Sequence, residues 1–133
     1  MPEVLSVTEI LARIYGLGLL ASGVALLFDR GLYRRLLREF GDSRALTLLG
    51  GLAAFLIGAV TLALHNDLSS GAAILITIIA WISLIEGLFY IAGIAIAHRF
   101  FEKITFVRPP VSNVMGGVVV LLGLFLLWAG FAP

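Results

Sequence analysis

Four stretches of roughly twenty apolar residues, at positions 10–28, 45–64, 71–97 and 111–133, limit this chain more than any other feature of its sequence. An α-helix needs about 20 residues to cross the roughly 30 Å hydrocarbon core of a bilayer, and each stretch is close to that length. The first carries Arg13 near its start and the third carries Glu86; the other two hold no charge at all. A hydrophobic content of 61% and a mean hydropathy of +1.12 over 133 residues lie well above the roughly 45–50% apolar usage of soluble domains. The expected fold is therefore all-α, a single integral membrane domain over 1–133 with four spans in one helical bundle.

The net charge of +1 hides an asymmetry. Of nine Lys and Arg residues, eight (Arg30, Arg34, Arg35, Arg38, Arg44, Arg99, Lys103 and Arg108) fall in the first and third connections, and only Arg13 lies at the opposite face. The positive-inside rule then makes connections 29–44 and 98–111 cytoplasmic, with both termini and the 65–70 turn outside. This is the multi-pass pattern of a bacterial inner (cytoplasmic) membrane protein. Glu3 and Glu9 precede the first span where a cleavable signal peptide would carry basic residues, so the first span is expected to stay in the mature protein. Cysteine is absent, which removes disulfides, thiol redox chemistry and thiolate metal ligands.

In chain order, Ser6-Val7-Thr8-Glu9 has the spacing of a capping box, and Leu5 and Ile10 that of a hydrophobic staple. Gly16, Gly18, Ser22 and Gly23 give the first span small packing positions. After Asp29, Leu32, Tyr33, Leu36, Leu37 and Phe40 share one helical face and the basic side chains Arg30, Arg34, Arg35 and Arg38 turn to the other. That pattern suits an interfacial helix on the cytoplasmic leaflet, and lipid contact explains the arginines without nucleic acid. Gly41 is expected to end this helix and Asp42 or Ser43 to cap the next. In the second span Gly50, Ala54 and Gly58 recur every four residues as a ridge for close helix contact, with Gly51, Thr61 and His65 nearby; the alternative is that small residues are simply common in membrane helices. The 65–70 turn, closed by Ser69-Ser70-Gly71, is short enough for a tight antiparallel hairpin. Ser83, Glu86, Gly87, Tyr90, Gly93 and Ala97 follow a three-to-four spacing and line one face of the third span. A second basic amphipathic stretch with Arg99 and Lys103 follows at the cytoplasmic side. Pro109-Pro110 is expected to stop it, and Ser112 or Asn113 to cap the last span with its Gly116, Gly117 and Gly123.

The two halves resemble each other. Placing Gly23 on Gly87, 64 positions on, sets Ser22-Gly23 on Glu86-Gly87 and Arg34-Arg35-Leu36-Leu37 on His98-Arg99-Phe100-Phe101. A shift of one more residue pairs Gly51 with Gly116 and Ile57-Gly58 with Leu122-Gly123. A tandem repeat of two-span hairpins follows, one copy over about 6–65 and the other over about 70–131, the two entering the membrane in the same direction. The alternative is the general likeness of apolar helices. The repeat puts Ser22 and Glu86 at similar depth, near the axis of the bundle.

Each half, with its span, basic elbow and glycine-rich second span, is similar to the YjeT-like two-span family of bacterial inner-membrane proteins. His65-Asn66 followed by Thr77, Trp81, Leu84 and Gly87 resembles small four-span bacterial proteins that share an HN turn and a T-x-x-x-W-x-x-L-x-x-G helix. Where that pattern has a lysine before the glycine, this chain has Glu86. The resemblance implies a location and a span count, and no activity.

Glu86 is the sharpest functional lead. A charged side chain at a bilayer centre costs about 3 kcal/mol on insertion scales, so such residues face protein or water and often mark proton or ion paths. It reads either as a protonatable centre for a proton or ligand, with Ser22, Ser83 and Tyr90, or as a structural acid bonded by those same side chains. Gly50, Ala54, Gly58, Gly87, Gly93, Gly116 and Gly123 are expected to pack helices. His65 and His98 end spans on opposite sides, about 30 Å apart, so they share no metal. No metal site or cofactor is expected, and the sequence holds no HExxH, nucleophile elbow, phosphate loop or carboxylate pair. The expected role is non-enzymatic: an accessory or assembly subunit, or an oligomer-forming membrane protein, in contact with the bilayer and either itself or a larger membrane complex, not nucleic acid. The alternative is a small proton-linked transporter or channel using Glu86.

Overall fold

The computed structural model describes residues 5–29, 31–92 and 109–132, and every described helix is an α-helix. They are α1 (Val7–Phe28), α2 (Leu32–Asp42), α3 (Arg44–Leu64), α4 (Gly71–Ala92) and α5 (Pro109–Phe131). Four are long and apolar enough to cross a membrane: α1 with 22 residues, α3 with 21, α4 with 22, and the 19 residues Asn113–Phe131 of α5. They pack as a bundle, which suggests a multi-pass membrane protein.

Local signals set most helix ends. Ser6 and Glu9 form the reciprocal box that starts α1: Ser6 N–H donates to Glu9 Oε2 at 2.8 Å and Glu9 N–H to Ser6 Oγ at 3.2 Å. Ser43 Oγ accepts from Leu46 N–H at 3.2 Å and starts α3, while α2 runs on through Gly41 to Asp42. Ser70 Oγ accepts from Ala73 N–H at 3.1 Å at the start of α4. The last span extends further back than expected: Pro109-Pro110 belongs to its first turn, ahead of the cap expected at Ser112 or Asn113, while the basic stretch that the prolines were expected to stop lies outside the described residues. The first turn of a helix has no use for its N–H groups, and the fixed proline φ is already helical, so a proline pair serves as a start as readily as a stop.

The close pairs are α1 with α5 and α3 with α4, each antiparallel. As α1 advances from Arg13 through Gly16 to Gly23, its neighbour on α5 runs back from Gly130 through Gly123 to Gly116. On the second pair Gly51 lies against Gly87 and Tyr90, and Gly58 against Ala80 and Leu84. In each seam the small residues recur every seven positions. A seven-residue repeat stays on one face of slightly underwound helices and so lets two backbones touch along their length. The contacts are intimate: a methyl added at Gly58 would stand 2.5 Å from the Ala80 carbonyl oxygen, and one at Gly123 would stand 2.7 Å from the Leu20 amide nitrogen.

Gly58 packs against α4 together with Gly51, seven residues earlier, while Gly50 and Ala54 are half-buried. The four-residue and seven-residue spacings both pass through Gly58, and only the antiparallel partner selects between them. The two-span hairpins expected within each half are likewise not the tight units. Among the described residues the hairpin across the 65–70 turn is close, while α1 finds its close neighbour at the far end of the chain.

The two pairs meet where Ala12, Ala72, Ile76 and Leu126 are buried together, ringed by Leu11, Tyr15, Leu19, Leu75, Ile79 and Ala129. This core lies toward the end of the bundle that holds the 65–70 turn. Leu17, Leu49, Leu64, Leu121 and Trp128 are among the many large apolar side chains left exposed, the surface a hydrocarbon solvent would cover.

Candidate functional site

Along α4, positions Ala72, Ile76, Ile79, Ser83, Glu86 and Tyr90 form one stripe at three- and four-residue steps. Its first three members pack into the core shared with the α1/α5 pair, while Tyr90 at its far end lies against Gly51 of α3. Glu86 lies two turns farther on and is half-buried, as is Ser83, while Tyr90 is buried. Among the described residues nothing hydrogen-bonds the Glu86 carboxyl. Ser22 does not join it: its side chain is exposed, and its hydroxyl donates to Gly18 O one turn back on its own helix at 2.8 Å. A serine hydroxyl in a helix reaches the carbonyl four residues earlier without any tertiary partner, which lets Ser22 face outward instead of lying near the axis. Gly93 lies outside the described residues.

The polar side chains that do meet form a group the sequence reading missed. His65 is the residue after α3, and its ring is only 3% exposed. Its Nε2 lies 3.0 Å from Thr8 Oγ1 on α1, and its Nδ1 lies 3.4 Å from Thr77 Oγ1 on α4. Thr77 also donates to Ala73 O at 2.9 Å. One turn deeper, Tyr15 Oη and Thr61 Oγ1 are 2.7 Å apart and join α1 to α3. These two contacts fasten the α1/α5 pair to the α3/α4 pair. His65 and Thr77, both in the HN turn and helix pattern, therefore meet in space, and Leu84 and Gly87 of that pattern lie in the α3/α4 seam while Trp81 is exposed. The signal that could have found the group is spacing: Thr61 and His65 are one turn apart, as are Thr8 and Ala12, a buried small position.

Two arginines are also spent inside the molecule. Arg13 Nε donates to Gly130 O at 2.9 Å, and its guanidinium lies 4.0 Å from the centre of the Phe131 ring, so it holds the end of α5 to the start of α1. Arg44 donates from both terminal nitrogens to Tyr90 O and Ile91 O, at 2.9 and 2.7 Å, and so ties the start of α3 to α4. Of the arginines expected at lipid, Arg35 pairs with Asp29, both about half-exposed, and Arg38 is exposed. Arg30, Arg99 and Lys103, and the side chain of Arg34, lie outside the described residues.

At the turn end an open recess of about 640 Å³ is bounded by Thr8, Glu9, Asp67, Ser70, Phe125 and Trp128, among others. Its two carboxylates already have work: Glu9 closes the α1 cap, and Asp67 accepts from Ser69 N–H at 2.9 Å and Ser69 Oγ at 2.8 Å. Those two bonds, the hydroxyl one foremost, hold the Asp67 carboxyl below its ordinary range. No three His, Asp or Glu side chains gather at one place among the described residues. Gly87 lies against Phe55 and Gly51, Gly116 against Leu27 and Gly23, and Gly123 against Leu20 and Gly16. Comparison of the chain with protein-family models, with curated proteins and with solved structures finds no match.

Proposed function

We propose that this chain is a small non-enzymatic protein of a bacterial inner membrane, with an accessory or assembly role, and that it presents a lipid- and partner-facing apolar surface on a self-fastened bundle. The observation that carries this reading is how the polar groups within the spans are used. Arg13, Tyr15, Arg44, Thr61, His65 and Thr77 all bond other helices of the same chain. The seam glycines Gly51, Gly58, Gly87, Gly116 and Gly123 likewise face neighbours within the chain, so an oligomer or a larger complex would form through the exposed apolar faces. Eight of nine basic residues in the first and third connections support cytoplasmic placement of those segments, with both termini and the 65–70 turn outside. The composition of α2, with arginines interleaved with Leu32 and Leu36, supports an interfacial amphipathic elbow.

The duplication belongs to the same reading. Positions 64 or 65 apart take corresponding places in the two seams: Gly16 and Ala80, Gly23 and Gly87, Gly51 and Gly116, Gly58 and Gly123. The polar fastenings follow the same offsets, Arg13 with Gly130 in one pair and Thr77 with His65 in the other. The test is mild affinity purification from native membranes. A defined partner or a discrete homo-oligomer is expected; a solitary monomer would overturn the role.

A second reading is favoured by Glu86 itself, a half-buried acid within a span that no described residue hydrogen-bonds. In a proton-linked transporter or channel it would carry the proton or bind a cation. Purified protein in liposomes would then show pH-dependent flux lost in Glu86→Gln, and equal behaviour of mutant and wild type ends that reading.

A further inference from the structure

We infer that the two halves of the chain, 6–65 and 70–131, are docking partners: each lays the small-residue face of its first helix on the small-residue face of the other's second helix, and neither closes a seam by itself. The seam of Gly16 and Gly23 with Gly123 and Gly116 joins the first helix of the first half to the last helix of the second. The seam of Ala80 and Gly87 with Gly58 and Gly51 joins the first helix of the second half to the last helix of the first. Among the described residues no comparable seam joins α1 to α3, or α4 to α5. The molecule is therefore the fused equivalent of an assembly of two two-span subunits that interlock.

Lipid makes this consequential. Helices already in hydrocarbon gain nothing from hiding apolar surface, so close backbone packing and interhelical hydrogen bonds decide which helix sits beside which. Most of both lies between the halves: the two seams, Arg13 with Gly130, Arg44 with Tyr90 and Ile91, and Thr77 with His65, while Thr8 with His65 and Tyr15 with Thr61 tie α1 to α3 inside the first half. The 65–70 link, exposed from Asn66 through Ser70, touches the second half mainly through its own turn and through Thr77 to Asp67 O. Its contribution to holding the halves is the effective concentration a short linker supplies, in the millimolar range. Seams as close as these hold without it.

The experiment cuts the link in the folded protein. A protease site is inserted after Leu68 in full-length protein, which has no cysteine of its own, and in the same chain Leu27→Cys and Gly116→Cys are placed where Gly116 meets the Leu27 side chain at 2.9 Å. After purification in detergent and cleavage, the two fragments are expected to co-elute at the position of uncut protein. On oxidation they are expected to migrate at full mass on a denaturing gel and to separate on reduction. Gly123→Leu, or the milder Gly123→Ala if the former does not accumulate, is expected to lose co-elution after cutting, whereas Gly117→Leu, with nothing within 4 Å of it, is expected to keep it. Separation of the wild-type fragments on cutting, regrouping of each half with its own copies, failure of the disulfide to join them, or equal effects at Gly117 and Gly123 would each overturn the docking. The inference rests on the duplicated four-span reading, and the two fail separately: labelling of the 65–70 turn from the cytoplasmic side would overturn the topology and leave the cut fragments together.

Discussion

At the scale of single residues, the side chains that matter most are those whose role depends on a helix far away in sequence. His65 follows the last residue of a span in a turn rich in polar residues, and nothing local marks it for burial; it is buried where Thr8 of α1 arrives from 57 positions away. His65→Ala removes both bonds and leaves a void, and a loss of about 1–3 kcal/mol is expected in the thermal or denaturant unfolding of detergent-solubilised protein. Tyr15→Phe, which removes only a hydroxyl, is expected to lose about 0.5–1.5 kcal/mol in the same assay. Asp67 gives a pH dependence of definite sign. Its folded carboxyl is held below the ordinary 3.8, so its contribution is fully present above that value and disappears as pH falls through the lower folded one. Melting temperature is expected to drop more steeply in wild type than in Asp67→Asn as pH is lowered from about 5 to about 2. Equal slopes would show that the Ser69 bonds do not matter.

At the scale of elements, the four spans, the α1 capping box and the Ser43 cap are legible because each rests on neighbours within a few positions. The seams are half legible. Gly58, Gly87, Gly116 and Gly123 stand out as small residues in long apolar runs, but nothing local distinguishes Gly116 from Gly117; the partner helix does. Pro109 shows the same limit at a helix end, since a proline that can stop one segment can equally begin the next. The seam makes a sharp contrast testable. A methyl at Gly87 would overlap the Phe55 amide nitrogen and stand 2.6 Å from Gly51 O, both backbone atoms that cannot swing aside. Gly87→Ala is expected to destabilise by about 3 kcal/mol or more. Gly117→Ala meets open space and should raise stability by up to about 1 kcal/mol through helix propensity. Parallel melting curves of the two variants decide it; similar shifts would mean that the helices are not in contact there.

At the scale of the whole molecule, composition and charge order predict the number of spans and their direction, while the pairing of α1 with α5 needs coordinates, because any of three neighbours would satisfy the same hydropathy. Direction can be checked directly in a chain without cysteine. Ser69→Cys is expected to react in intact cells or spheroplasts with a membrane-impermeant maleimide, and Arg38→Cys only after the membrane is opened. The reverse order of labelling would invert the molecule and move the polar turn, with His65 near it, to the cytoplasmic side.

The sevenfold spacing of the seams also governs how the bundle can move. If α1 slid along α5 by one residue, Leu20 or Leu127 backbone would lose its notch and a larger side chain would meet the opposite chain at each crossing. The next position at which every notch is refilled lies seven residues on, a travel of about 10.5 Å, more than the membrane would tolerate for a span of this length. Each pair therefore acts as a rigid strut without piston motion. Freedom is left at the junction between struts, where the contacts are few and gather around Ala12, Ile76 and Leu126 at one end. The two struts are held to each other chiefly at the turn end, by that core and by the His65 and Tyr15 contacts.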